Sequence, residues 1–174
     1  MKFPSRAVKT VIALVLTCCA GEGVSAGGRP ILGKPAPALV APAMEGGTVD
    51  LSTLRGHVVV LNLWASWCPP CRDELPMLSR LQTHHRAEGL VLVALSADRH
   101  RDRRDAQRAL AGLDLTGAFM DGAATNGYAN PEVLPVTYVI DADGILRAEF
   151  LPGQGGLQES RLEEALAPLL NKAP

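Results

Sequence analysis

Residues 57–65 (HVVVLNLWA) are an almost unbroken run of β-branched, aliphatic and aromatic side chains, and two positions later the chain reads Trp67-Cys68-Pro69-Pro70-Cys71. A continuous apolar run of this length predicts a strand buried on both faces. Two successive prolines cannot extend that strand, but they suit the first turn of a helix, where backbone N–H groups have no intrahelical partner. The spacing therefore predicts a helix over 69–86, with Leu75, Leu78 and Leu81 on a partial apolar stripe and Pro76 expected to kink it. The rest of the fold has to be built around this strand-to-helix junction with two cysteines in it.

The remaining pattern is regular. Residues 90–97 (LVLVALSA) read as a second buried strand after Gly89. Ahead of the junction, 38–43 is a short predicted strand, Glu45-Gly46-Gly47 a turn, 48–51 the hairpin partner, and Ser52 the cap of a one-turn helix ending at Gly56. Beyond it, 101–113 has helical composition and 118–120 is a short strand. Residues 136–140 and 145–151 flank Asp141-Ala142-Asp143-Gly144, a strong hairpin turn. A last helix starts near Leu157, with Leu162, Ala165, Leu166, Leu169 and Leu170 on one face and Pro168 interrupting it. After the N-terminal hairpin the order is β-α-β-α-β-β-α, which argues for an α/β fold: a mixed central sheet with helices on both faces. A chain of 174 residues suits one core of this kind.

The first 26 residues are of another kind. Lys2, Arg6 and Lys9 make a basic start, 11–20 is uncharged and mostly apolar, and Val24-Ser25-Ala26 is a small-residue cleavage signal. This is the layout of a secretory signal peptide cut after Ala26, although a retained anchor and a lipoprotein at Cys18 or Cys19 compete with it. The apolar run is about half the ~20 residues that span a bilayer. Residues 27–37 then form an extended lead-in and 38–174 the folded domain. Removing 1–26 takes away three bases and one acid, Glu22, so the net charge moves from −1 to −3. Nothing in that balance points to a nucleic-acid partner. It also removes Cys18 and Cys19, leaving Cys68 and Cys71 as a lone pair, too few for a disulfide-stapled scaffold.

That pair has a chemical rationale. Cys68 falls at the helix N-terminus, where free N–H groups and the helix dipole favour an anion and lower a thiol pKa. Cys71 lies one turn further in, within disulfide reach and more shielded. The expected roles are asymmetric: Cys68 exchanges with substrate and Cys71 resolves the mixed disulfide. Pro69 and Pro70 stiffen the loop and cannot donate an N–H to the Cys68 sulfur. A zinc site needs about four ligands, and His84 and His85 do not supply the spacing. Covalent haem attachment needs His after Cys71, where Arg72 stands. No metal or other cofactor is expected.

The segment Trp64-Ala65-Ser66-Trp67-Cys68-Pro69-Pro70-Cys71-Arg72 resembles the thioredoxin superfamily, and more narrowly its exported TlpA/ResA-like (DsbE-like) branch. Asn62 in V-L-N-x-W-A-S-W-C, Glu74 and Pro76 in C-R-x-E-x-P, and Leu134-Pro135-Val136-Thr137 before Tyr138-Val139-Ile140-Asp141 carry the same resemblance. It implies a cis Pro135 beside the cysteine pair, with the backbone at Leu134 and Pro135 docking an extended peptide. Val136 stands where the family has a smaller residue, which would reshape that docking edge. Glu74 is implied as an active-site carboxylate that tunes the thiols or relays a proton; dipole compensation is the plain alternative. Asn62 replaces a buried aspartate of thioredoxin itself. Trp64 and Trp67 are expected around the site, Trp67 as a substrate-facing shield or as core packing.

The cysteine pair leads to a thiol–disulfide exchange catalyst, and the resemblance implies a periplasmic reductase of protein disulfides with a role in cytochrome c maturation or related redox homeostasis; the direction of electron flow does not follow from the residues themselves. The resemblance implies a membrane thiol relay as electron donor and a monomeric chain. Two other readings compete: a peroxiredoxin-like thiol peroxidase, and a non-enzymatic metal-binding module using the two thiolates. The mixed run of residues 99–105 (RHRDRRD) reads as a solvated helical face, with a docking patch for an acidic partner as the alternative.

Overall fold

The computed structural model describes residues 30–128 and 131–170. The expected signal segment, 1–26, lies outside them. Eight strands and three α-helices follow in the order β1 (Leu39–Pro42), β2 (Thr48–Asp50), β3 (Val58–Trp64), α1 (Pro69–His85), β4 (Leu90–Ser96), α2 (Arg103–Leu110), β5 (Thr116–Phe119), β6 (Thr125–Asn126), β7 (Val136–Ile140), β8 (Leu146–Phe150) and α3 (Glu159–Leu170). The central sheet has the order β5-β4-β3-β7-β8. β3 runs parallel to β4 and antiparallel to β7. The sheet is mixed and flanked by helices, so the α/β expectation holds.

Alternation along β3 divides the core. All seven of its residues are buried, as a strand covered on both faces requires. Val58 and Val60 join Leu92 and Val139 under α1 and α3, meeting Leu78, Leu81, Leu162 and Leu166. Each leucine withdrawn from water there contributes on the order of 1.5–3 kcal/mol. Val59, Leu61 and Leu63 point the other way, toward Leu39, Ala41 and Tyr128. The N-terminal hairpin thus roofs one face of the sheet. It is also wider than the sequence pattern suggested, because β6 pairs with β1 and makes a three-stranded sheet. A two-residue strand carries no periodicity from which it could be read.

Element ends differ from expectation for local reasons. Asp50, not Ser52, caps the 3-10 turn Leu51–Leu54: its carboxylate accepts the Ser52 N–H at 2.8 Å. α2 stops at Leu110 rather than 113, because Ala111 turns out of helical geometry and Gly112 follows with φ +79°, a conformation open to glycine. Pro76 and Pro168 both lie within unbroken helices. The lead-in is pinned rather than loose: the Gly33 N–H reaches the Leu146 carbonyl at 2.8 Å, the Ala36 N–H the Gly144 carbonyl at 2.9 Å, and the Leu146 N–H the Lys34 carbonyl at 2.9 Å. In the basic run, Arg101 pairs with Asp102 at 3.4 Å, while Asp105 pairs with Arg108. Arg103 lies over the Phe119 ring, 4.6 Å from its centroid. Among the described residues no helix is long and apolar enough to cross a membrane.

Candidate active site

β3 ends at Trp64, fully buried, and four residues later the chain enters α1 at Cys68. Cys68 is the helix N-cap, in extended geometry. Its sulfur receives the Cys71 N–H at 3.3 Å. Proline at the first two helical positions explains that choice: residues 69 and 70 have no N–H, so Cys71 supplies the first one the helix can turn toward the sulfur. Cys68 and Cys71 are joined as a disulfide.

The pair is asymmetric. Cys68 keeps 6% of its surface exposed and Cys71 none. Trp64, Ala65, Leu75, Ala94 and Phe119 form the apolar nest behind them. Pro69 and Pro70 face solvent. Trp67 does not pack into the core: it is 64% exposed, and it directly precedes Cys68 in the chain. Beside it opens a cleft lined by Ser66, Trp67, Arg72, Asp105 and Arg108.

The Leu134–Pro135 peptide is cis. Pro135 is buried, and Leu134, half-buried, packs against the cluster that holds both cysteines. Val133, one residue upstream, is 57% exposed, and sequence reasoning passed over it. Val136 follows the cis proline as the first residue of β7. Its side chain is buried on the face roofed by the N-terminal sheet, where it joins Leu61 and Leu63.

Asn62 shares a face with Val60 and Trp64, by the two-residue alternation of β3. Its side-chain N–H donates to Thr137 Oγ1 at 2.9 Å, and its Oδ1 has no partner. Glu74 sits one helical turn beyond Cys71. Burial pushes its carboxyl up to about 7, against a Leu157 backbone N–H bond that favours the charge. Its Oε2 is buried and unpartnered. A solvated, dipole-compensating acid would show neither feature.

Two arrangements were invisible in the sequence. Asp98, with no exposed surface, accepts hydrogen bonds from Ser66 and Ser96. The signal available was an acid two residues past the end of a buried parallel strand, where sites of open α/β sheets gather. His85, to which no role was assigned, is held between Glu88 at 2.8 Å and Glu163 at 3.0 Å, far from the cysteines in sequence. Among the described residues no group of three or more His, Cys, Asp or Glu side chains is placed to hold a metal ion.

Comparison with known proteins agrees with this geometry. Residues 32–149 match the AhpC/TSA family. The thiol-disulfide oxidoreductase ResA of Bacillus thuringiensis (strain Al Hakam) is 33% identical over 113 residues; the match covers 65% of this chain and spans 65% of that protein's length. The thiol:disulfide interchange protein DsbE of Yersinia pestis is 32% identical over 155 residues, covering 82% of this chain and 74% of its own. Among solved structures, a secreted thiol-disulfide isomerase from Corynebacterium glutamicum superposes with a TM-score of 0.68 at 25% identity, over 78% of this chain and 85% of that one.

Proposed function

The chain belongs to the AhpC/TSA family, and we propose that it is an exported thiol–disulfide oxidoreductase that reduces protein disulfides through Cys68 and Cys71. The observation that carries this reading is the asymmetry of the pair at a helix N-terminus: Cys68 keeps 6% of its surface exposed, and Cys71 behind it keeps none. An inert brace has no use for that difference, and a loop closed across three residues braces little.

In the reduced protein the Cys68 thiolate attacks one sulfur of a substrate disulfide. A Cys68–substrate bond forms as the substrate S–S bond breaks, and the first substrate thiolate leaves and takes a proton. Cys71 then gives up its proton and attacks the Cys68 sulfur, which releases the second substrate thiol. The substrate gains two electrons and two protons, and the protein is left with the Cys68–Cys71 disulfide. Glu74, titrating at about 7 one turn from Cys71, is the acceptor we assign to that proton. Exposed Trp67, the Val133-Leu134-Pro135 segment and the adjoining cleft supply the docking surface, and the backbone at Pro135 pairs with an extended peptide. A membrane thiol relay restores the dithiol. The basic-apolar-small leader supports export of this chemistry to the periplasm, and maturation of cytochrome c is the process in which we propose it serves.

Replacing Cys71 with Ser and isolating what remains attached to Cys68 tests the proposal. Protein adducts joined by mixed disulfides are the expected result, and their sequences separate an apocytochrome from a copper-site protein or another oxidised thiol protein. Recovery of no adduct, with peroxide consumed at the expense of a thiol donor, would replace this reading with the peroxidase one.

A further inference from the structure

Asp98 is the most deeply buried acid that the exchange chemistry does not use. It lies two residues past the end of β4 and has no exposed surface. Its Oδ2 accepts the Ser66 N–H at 2.8 Å and the Ser96 hydroxyl at 2.7 Å, and its Oδ1 accepts the Ser66 hydroxyl at 2.6 Å. Its own N–H donates to Ser96 Oγ at 3.0 Å. A carboxylate is tolerated at such depth only when donors replace the lost water, and here three do. None of the three is needed for the sheet: the parallel ladder of β4 with β3 and β5 is made by backbone.

Two of the three donors belong to one residue, and that residue stands midway between the end of β3 and Cys68. The loop is gripped at few other points. The Cys68 N–H reaches the Ala65 carbonyl at 3.1 Å, and the Ala97 N–H reaches the Trp64 carbonyl at 2.8 Å. Both of those hold the ends of the loop; Asp98 holds its middle, by backbone and side chain together.

We propose that Asp98 is a positioning residue for the exchange reaction: through Ser66 it fixes the loop that carries Cys68, and so sets where that sulfur stands relative to Cys71 and to an incoming disulfide. The inference rests on the reading of the cysteine pair as an exchange site. Attack on a mixed disulfide needs three sulfurs nearly in line, so a loop free to wander lowers the effective concentration of Cys71 at Cys68. Misplacement by about 1 Å can cost ~10²-fold in such steps. Loss of a single hydroxyl contact should cost less, about five- to tenfold.

Ser66 and Ser96 provide a matched pair for the test. Ser66→Ala removes one hydroxyl bond to Asp98 at the loop, whereas Ser96→Ala removes one of similar length on the strand side and also the Asp98 N–H bond to the same oxygen, which makes it the more demanding control. Urea unfolding checks that the two lose comparable stability. Two constants are then read: the rate at which Cys71 resolves a mixed disulfide formed on Cys68 with a small peptide disulfide, and the equilibrium constant of the Cys68–Cys71 disulfide against glutathione. Ser66→Ala is expected to slow resolution about five- to tenfold and to weaken the internal disulfide in step, with Ser96→Ala within twofold of the parent. Asp98→Ala should exceed Ser66→Ala, and Asp98→Asn, which keeps an acceptor for the Ser66 N–H, should recover part of the loss. If Asp98→Ala does not fold, the serine pair decides alone. Equal shifts in both serine variants, or a shift in neither, would overturn the assignment. A parent protein that turns over no peptide disulfide would instead strike at the exchange reading, and it shows before any variant is made.

Discussion

Glu74 and the cysteines next to it put the proton chemistry at the scale of single side chains. In the folded protein this carboxyl holds its proton to about pH 7, against an ordinary value of 4.5 in the unfolded chain. A raised folded value means the neutral form is the one the fold favours. Glu74 therefore does not oppose folding below pH 4.5, and its cost grows as pH rises through 7. Glu74→Gln should melt higher than the parent at pH 8 and equally at pH 4; a thermal melt at each pH reads this, and equal melting at pH 8 would remove the buried-acid description. The same variant should flatten the pH dependence of Cys71 attack near pH 7, measured by single-turnover release of a peptide thiol. No change in that profile would return Glu74 to a structural role.

At the scale of elements, α1 is the part that has to stay still, since its first turn holds both sulfurs and its last turn is tied down elsewhere. His85, at the helix end, bridges Glu88 and Glu163 of α3. Burial works against charge on the imidazole, but the hydrogen bonds it donates to both glutamates outweigh it and raise its pKa above 6.5. The clasp therefore stabilises fully below pH 6.5 and fades as pH rises through the higher folded value. Urea unfolding of His85→Gln should show a larger deficit at pH 5.5 than at pH 9; a deficit independent of pH would show that the ring acts by packing alone. Glu74 titrates in both proteins and cancels from the comparison. Lower on the same helix, Leu78→Ala opens a cavity against β3 and α3 and should cost about 2–5 kcal/mol in the same assay.

For the whole molecule, the chain ahead of β1 matters more than its Gly- and Pro-rich composition suggests. Three backbone hydrogen bonds tie residues 33–36 to the β7–β8 hairpin. Pro35 bridges Ile145 in the same stretch. At about 1 kcal/mol for each bond, a chain starting at Ala38 should lose roughly 2–4 kcal/mol relative to one starting at Gly27. Equilibrium urea unfolding of the two decides it. A chain starting at Ala38 that is equally stable would return the lead-in to a mere tether.

What the sequence determined by itself is whatever depends on neighbours along the chain. β3 and β4 were legible because each is apolar but for one residue, Asn62 and Ser96 respectively, and α1 because two prolines and a cysteine can begin a helix but not continue a strand. The chemistry of Cys68 and Cys71 was legible for the same reason, since a three-residue step at a helix start sets their reach and their difference in depth. The hairpin at Asp141 to Gly144 carried its own turn signal. Tertiary structure decided what depends on partners far away in the chain. Asp98 meets Ser66 across 32 residues and His85 meets Glu163 across 78, separations at which no local pattern survives. β6 is too short to show a period and exists because β1 offers it an edge. Trp67, for which the sequence left a shield and a core role open, is exposed, because exposure depends on where a residue meets the packed fold and not on its type. Short-range spacing selects elements and reagents, while burial, which sets pKa values and holds loops still, is a property of the assembled core.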